Sequence, residues 1–434
     1  MGETAHTGFG QRLDRCIGQP SAALCGIGHF LFTFPQQWTT SVVSSTTDVV
    51  EDIVTRTPSA IVVGGGIAGL AAALGLTARG WRVEVLEQAP RIGESGSGIS
   101  LWANGVRAMD ALGLGDQVRS AGRIETEGGI RDRKGRWLSR TDTNVLERRY
   151  GPLVVIRRSD LFDILAAALP DGVLRTATKV TRVENGSATT VSVTHSMGVS
   201  EADVVIGADG IHSAVRRSLW PQGTLPRYAG YTAWRMITTE LDFRPESGEI
   251  WGRGERFGVV PLADGCAYLF AVANAPAGER HRDGELAQVR ARFGRWPAPI
   301  PTLLSAVSPE AVLHHDLFEL PDLDTFVRRR VALIGDAAHA MTPNLGQGAN
   351  QALEDAVTLA ALLDRHAIDP ALGEYDRLRR PRSQAIARRS RRIGMVAQWS
   401  APPATFLRDN AIRLASGRAM LRNLDPVLSW HPPE

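Results

Sequence analysis

The sequence predicts an α/β fold: a Rossmann-like parallel sheet, interleaved with an antiparallel-sheet domain and followed by a helical C-terminal region. Three observations carry this reading. Short apolar runs recur, followed at once by glycine or an acid, as in strands buried in a parallel sheet. The first run feeds a glycine-rich turn. Between residues 228 and 273, aromatic and β-branched runs alternate with Gly and Pro, as antiparallel strands do. With 434 residues, 43% of them hydrophobic, the chain can bury a large core and divide into about two or three domains.

The elements follow in order. Residues 1–58 are rich in Ser, Thr and Gly, show no sustained period, and read as a poorly ordered leader. Ala60-Ile61-Val62-Val63 is a buried strand, residues 67–79 form an Ala/Leu-rich helix, and Gly80 stands where that helix would end. Residues 82–86 form the second strand, with Glu87 at its carboxyl end. Residues 101–118 and 159–169 read as helices, the second with Ser159 as its N-cap. Strands are expected at 180–183, 189–194, 203–207 and 330–334, and a long helix from about 348 to 363. Residues 375–418 read as helical with a break at Pro381.

Composition excludes several classes. A net charge of +3 with 22% charged residues leaves no concentrated basic face for nucleic acid. The one dense basic run, residues 377–392, reads as a solvated helix face. Cys16, Cys25 and Cys266 are odd in number and widely spaced, so neither a disulfide framework nor a zinc site is expected, and a reducing cytoplasm is the default. No apolar run reaches membrane-spanning length.

Three motifs carry chemistry. The first is Gly64-x-Gly66-x-x-Gly69, with Glu87 eighteen residues after the last glycine. Gly64 permits the turn, Gly66 lets a pyrophosphate approach the backbone, and Gly69 lets helix pack on strand. Free N–H groups at the helix start favour the phosphates. Glu87 is placed to accept from a ribose hydroxyl pair, which favours FAD or NAD over NADP at this turn. The second motif, 203–216, and the third, 331–348, are each a buried strand followed by Gly and Asp; they place Asp209 and Asp336 at one sheet edge. Gly346 and Gly348 open a helix whose N–H groups can face an anion or a polarised carbonyl.

With these motifs in this order, residues 59–392 resemble the FAD-dependent aromatic hydroxylases, the single-component flavoprotein monooxygenases of the para-hydroxybenzoate hydroxylase type. That family carries the glycine fingerprint, a Gly-Ala-Asp-Gly motif, and a Gly-Asp-Ala-Ala-His segment followed by Pro and Gly-Gln-Gly. The resemblance implies FAD as cofactor and NADH or NADPH as transient reductant. It also implies hydroxylation of an aromatic or heteroaromatic small molecule by dioxygen through a flavin hydroperoxide. Cofactor contacts are expected from Gly64, Gly66, Ile67, Ala68, Gly69, Glu87, Gln88, Ser100, Arg158, Val180, Asp209 and Asp336. In the loop that lines the isoalloxazine, Pro343, Gly346, Gln347, Gly348 and Ala349 are added. The division expected is a leader at 1–58, FAD-binding parts at 59–135, 159–225 and 326–368, substrate-side parts at 136–158 and 226–325, and C-terminal helices at 369–434. A monomer or homodimer without membrane insertion is expected.

The segments 96–105 and 228–235 are similar to the subgroup containing bacterial urate hydroxylase. Arg256 and Tyr268 then match substrate-side residues, and Arg235 is either exposed at an edge or aimed at the site. The urate enzyme carries asparagine where this chain has Ala233 and Arg235, and Ala233 removes a donor and an acceptor. Two alternatives are a reductase or dehydrogenase on the same fold and a purine monooxygenase. A flavin halogenase would need a Trp-x-Trp-x-Ile-Pro segment and a key lysine; Lys134 and Lys179 lie in no such context. His339, Trp234 and Trp251 read as packed residues, and His314-His315-Asp316 lacks further ligands at metal spacing.

Overall fold

The computed structural model describes residues 56–434, except 94–95, 127, 141–142, 187–188, 221–224, 416–423 and 434. The leader, with Cys16 and Cys25, falls almost wholly outside the described residues.

Ser59–Val63 lies parallel to Arg82–Leu86 in register from Ser59↔Arg82 to Val63↔Leu86. It lies parallel on its other side to Val204–Gly207. The full sheet has six strands, running Val327–Arg328, Val331–Leu333, Val204–Gly207, Ser59–Val63, Arg82–Leu86, Leu174–Arg175. Val327–Arg328 at one edge is antiparallel. Every residue of Ser59–Val63 is buried, which explains a run without polar alternation. The helix Ile67–Thr77 is made almost wholly of small and apolar residues because it lies between this sheet and the helix Gly348–Arg365. Gly75 permits that packing: a Cβ there would sit 2.8 Å from the Ala360 methyl.

A second sheet has seven strands, in the order Leu313–Glu319, Arg227–Ile237, Ala267–Asn274, Glu255–Pro261, Gly248–Trp251, Gly129–Asp132, Trp137–Arg140. All its pairings are antiparallel except Gly248–Trp251 with Gly129–Asp132. Gly129–Asp132, grouped by the sequence with the first FAD-binding part, thus belongs to this sheet. The period of two sorts the side chains. Trp234, Met236, Phe257, Leu269 and Ala271 form a core with the helices Glu285–Phe293 and Ile300–Ser305. Ala233, Arg235, Arg256, Tyr268 and Phe270 line a cavity. Phe270 pairs with Gly258 across the strands, and its ring covers the place of the missing side chain.

Four local expectations are corrected. The helix Ile368–Ala397 runs through Pro381 without a break. Pro381 and Arg377 are both exposed, so water can satisfy the Arg377 carbonyl that proline leaves unbonded. Ser159 does not cap: the helix is Arg158–Ala167 with Arg157 at its N-cap, and Ser159 Oγ donates to Asp160 Oδ1 at 3.1 Å. The stretch 101–118 is two helices, Ala103–Ala111 and Gly115–Ala121, split by Gly113 at φ 74°. The basic run is not one solvated face, because Arg379 is 1% exposed and sits among acids.

Candidate active site

A cavity of about 630 Å³ extends from the glycine turn of the parallel sheet to the inner face of the antiparallel sheet. At the turn, Gly64 has φ 107°, and a Cβ there would lie 2.5 Å from the Ala208 carbonyl oxygen. A Cβ on Gly69 would collide with the Gly64 carbonyl. Nothing lies within 4 Å of the Cβ position at Gly66, which leaves a cradle over bare backbone. The helix Ile67–Thr77 has no side-chain cap, so its first N–H groups remain for a ligand. Glu87 is docked beneath this turn: Oε2 accepts from the Gly65 N–H at 2.6 Å and Oε1 from the Ala89 N–H at 2.7 Å.

The two strand-end acids differ. Asp209 Oδ2 accepts from the N–H groups of Ala214 (2.6 Å) and Val215 (3.1 Å), and thereby ties the strand end to the next helix. Burial pushes its carboxyl above the usual range, against those hydrogen bonds. Asp336 is exposed along the cavity and opens the short helix Asp336–His339 after Gly335 at φ 57°. The loop continues through the 3-10 turn Pro343–Leu345 to Gly346 at φ 60°, and Gln347 then begins the helix Gly348–Arg365, again without a side-chain cap. Gln347 is 1% exposed; Oε1 accepts from Asn104 at 2.9 Å, and its buried Nε2 finds no partner among the described residues.

On the opposite side Arg256 is 3% exposed. Its Nε donates to Gln398 Oε1 at 2.9 Å and Nη2 to Asn344 Oδ1 at 2.8 Å, with Glu249 Oε2 at 3.6 Å from Nη1. This guanidinium therefore joins the antiparallel sheet to the loop of the parallel sheet. Tyr268 lies against Gly98, where any Cβ would meet its ring at 2.8 Å. Burial pushes its phenol up, while the nearby Arg235 and Arg158 guanidinia draw it down. Arg235 is half-buried and faces the cavity, and its guanidinium makes no hydrogen bond or ion pair among the described residues.

Of the expected residues, Gly66, Ile67, Ala68, Ser100, Arg158, Arg235, Arg256, Tyr268, Asp336, Pro343, Gly346, Gln347, Gly348 and Ala349 line this one cavity. Gly64, Gly69, Glu87 and Asp209 shape its walls from behind. Gln88 is exposed outside it, and Val180 is packed in the main core beside Val183 and Val193. Cys266 is a free thiol, and among the described residues no cluster could hold a metal. No helix of the described residues is long and apolar enough to cross a membrane.

Sequence reasoning missed the polar network behind the loop. Glu354 and Asp355, each fully buried, meet Arg379: Nε donates to Asp355 Oδ1 at 2.8 Å and Nη1 to Glu354. Arg382 Nε donates to Glu354 Oε2 at 2.7 Å, Asn104 Nδ2 to Glu354 Oε1 at 2.7 Å, and His339 Nε2 lies 2.6 Å from Asp355 Oδ2. The signal was present: two adjacent acids interrupt the apolar helical run from Leu353 to Leu363. Gln398, which holds Arg256 from 142 residues away, left no such signal.

A glycine cradle, uncapped helix starts and a second sheet closing the far end define a dinucleotide-binding oxidoreductase fold. The chain belongs to the FAD binding domain family, which it matches over residues 57–390. It is 35% identical over 360 residues to the aurachin C monooxygenase/isomerase of Stigmatella aurantiaca, covering 82% of this chain and 94% of that protein. It is 33% identical to the 2-heptyl-3-hydroxy-4(1H)-quinolone synthase of Pseudomonas aeruginosa, over 83% of this chain and 95% of that protein. Klebsiella pneumoniae HpxO, solved with FAD and uric acid, superposes with a TM-score of 0.79 at 30% identity, over 86% of this chain and 97% of that one. The protein is an FAD-dependent monooxygenase of the aromatic hydroxylase type.

Proposed function

We propose that this enzyme uses NADH or NADPH and dioxygen to hydroxylate a small aromatic or heteroaromatic ring. FAD, when bound, supplies the redox chemistry, accepting reducing equivalents from the nicotinamide and activating dioxygen for the oxygen transfer that the family resemblance implies. The residues present fit that cofactor. Gly64, Gly66 and Gly69 would hold the pyrophosphate on the first helix, with Glu87 near the ribose. Asp336 would bond the ribityl chain, and Pro343, Gly346, Gln347, Gly348 and Ala349 would border the ring system. N–H groups at the start of Gly348–Arg365 would favour negative charge there.

One observation carries the reading: Arg256 of the antiparallel sheet and Asn344 of the loop that follows the parallel sheet are bonded at 2.8 Å on the wall of one cavity. A ring held against Tyr268 and Phe270 would be positioned beside the cofactor loop and shielded from water. The Tyr268 phenol, kept neutral by burial, can donate to a ring oxygen. The relatives named for a quinolone and solved with uric acid support a nitrogen heterocycle as the ring. Urate itself is disfavoured by the methyl group that Ala233 presents to the cavity. Cytoplasmic residence is part of the same proposal.

Purified yellow protein should oxidise NADH or NADPH faster when phenols, quinolones or purines are added. Labelled dioxygen should leave one labelled oxygen atom in the product. Turnover of a ring substrate without any label uptake would favour the reductase reading and defeat this one.

A further inference from the structure

One wall of the cavity comes from the C-terminal end of the chain. Leu424, Val427 and Leu428 line it together with Trp102, Leu146 and Met341. These side chains form one contiguous apolar cluster, in which Val427 is 2% and Leu428 1% exposed. The sheet side of the same cavity instead presents Arg235, Arg256 and Tyr268. The cavity therefore carries its guanidinium and phenol groups on the sheet side, among apolar residues such as Phe270, and apart from the exposed Glu147 is apolar toward residues 424–428.

The wall is built in place by bonds to its backbone. Arg107 Nε donates to the Trp430 carbonyl at 2.8 Å, and its Nη groups donate to the carbonyls of Leu428 and Tyr150. Arg382 donates to the carbonyls of Pro426 at 2.6 Å and Val427 at 2.8 Å. Tyr150 OH donates to Asp425 Oδ1 at 2.8 Å. These bonds hold the segment by its main chain and by Asp425, and turn its apolar side chains inward.

Resting on the monooxygenase reading above, we propose that residues 424–428 are specificity-determining. They form a dry wall that takes a hydrocarbon substituent of the substrate, while the ring stays against Tyr268 and Phe270. The substrate class is then an aromatic or heteroaromatic ring bearing an alkyl or alkenyl arm. A hydrocarbon arm is the occupant that leaves no polar group unpaired against these side chains. Each methylene buried there adds affinity.

The test uses the full-length, FAD-loaded enzyme and 2-alkyl-4-quinolones and 4-alkylphenols with arms from methyl to heptyl. Dissociation constants are read from the flavin absorbance change, and product is assayed alongside. The wild-type enzyme should bind more tightly by up to about fourfold per added methylene until the arm fills the wall. L424W should lower the heptyl-over-methyl preference at least tenfold, and L424A should move the optimum to a longer arm. Opposite shifts from opposite changes in volume are not expected from general damage. Equal binding of all arm lengths, with product formed, overturns the wall and leaves the monooxygenase reading intact. Loss of FAD from both variants also overturns it, because the wall would then serve the cofactor. Failure of every ring compound to yield hydroxylated product overturns the monooxygenase reading, and the wall with it.

Discussion

At the scale of single residues, the glycine turn leaves no room for a side chain at Gly64. Gly64 combines a φ of 107° with the Ala208 carbonyl 2.5 Å from any Cβ. Gly64→Ala should therefore cost about 1–3 kcal/mol of backbone strain alone. The protein should purify with little FAD, read as the ratio of flavin to protein absorbance. Arg256→Ala acts differently. It removes the bond to Asn344 that joins sheet to loop, without touching the glycine turn. Loss of a charged hydrogen bond of this kind should lower kcat/KM by about tenfold to a hundredfold, with FAD content retained. Both positions were legible in the sequence, the glycine from its motif and the arginine from the family resemblance. The partners of Arg256 were not, because Gln398 reaches it only through the folded packing of the last long helix.

At the scale of elements, the helices Gly348–Arg365 and Ile368–Ala397 are fastened by buried charge. Removing Arg379 leaves buried Glu354 with Arg382 and Asn104, and buried Asp355 with His339 and the Gly335 N–H, as their remaining partners. R379A should destabilise by about 3–5 kcal/mol in denaturant unfolding. The exposed R377A should change stability by no more than about 0.5 kcal/mol. The pH dependence has a definite sign. Burial works against the Asp355 carboxylate, but His339, Arg379 and the Gly335 N–H outweigh it and hold its pKa below the ordinary value. Asp355 thus contributes stability in full above the ordinary aspartate range and loses it as pH falls below that range. Wild-type unfolding free energy should drop on acidification below about pH 4. The drop should be shallower in Asp355→Asn, measured by denaturant unfolding across that window. Here the sequence misled: a run dense in arginine reads as a wet face, and only the acid pair in the partner helix signals that one arginine is pulled inside. Pro381 misled in the same way, since its helix-breaking tendency is met on the solvent side.

At the scale of the whole molecule, the cavity joins segments from Gly66 to Leu428, so its integrity reports on the long-range fold. The parallel sheet was readable from its apolar strands, and the antiparallel layer from its alternation. The contribution of Gly129–Asp132 was not, because a short strand recruited across the chain leaves no period of its own. Nor was the C-terminal wall, whose role depends on Arg107 reaching carbonyls more than 300 residues away. Arg107→Ala should free that segment. Amide hydrogen exchange at residues 427–430 should rise by at least tenfold, while residues 59–63 in the central strand stay protected.

The way this wall is anchored also bears on how the enzyme can diverge. Arg107 and Arg382 grip carbonyl oxygens at 426, 427, 428 and 430, and every residue type supplies a carbonyl. Exchanges of Leu424, Val427 or Leu428 can therefore remodel the lining while the path of the chain is kept. Gly64 and Gly69, fixed by sterics that tolerate no such exchange, stay untouched. Mutational drift at residues 424–428 can then explore new substrates without passing through variants that have lost their flavin.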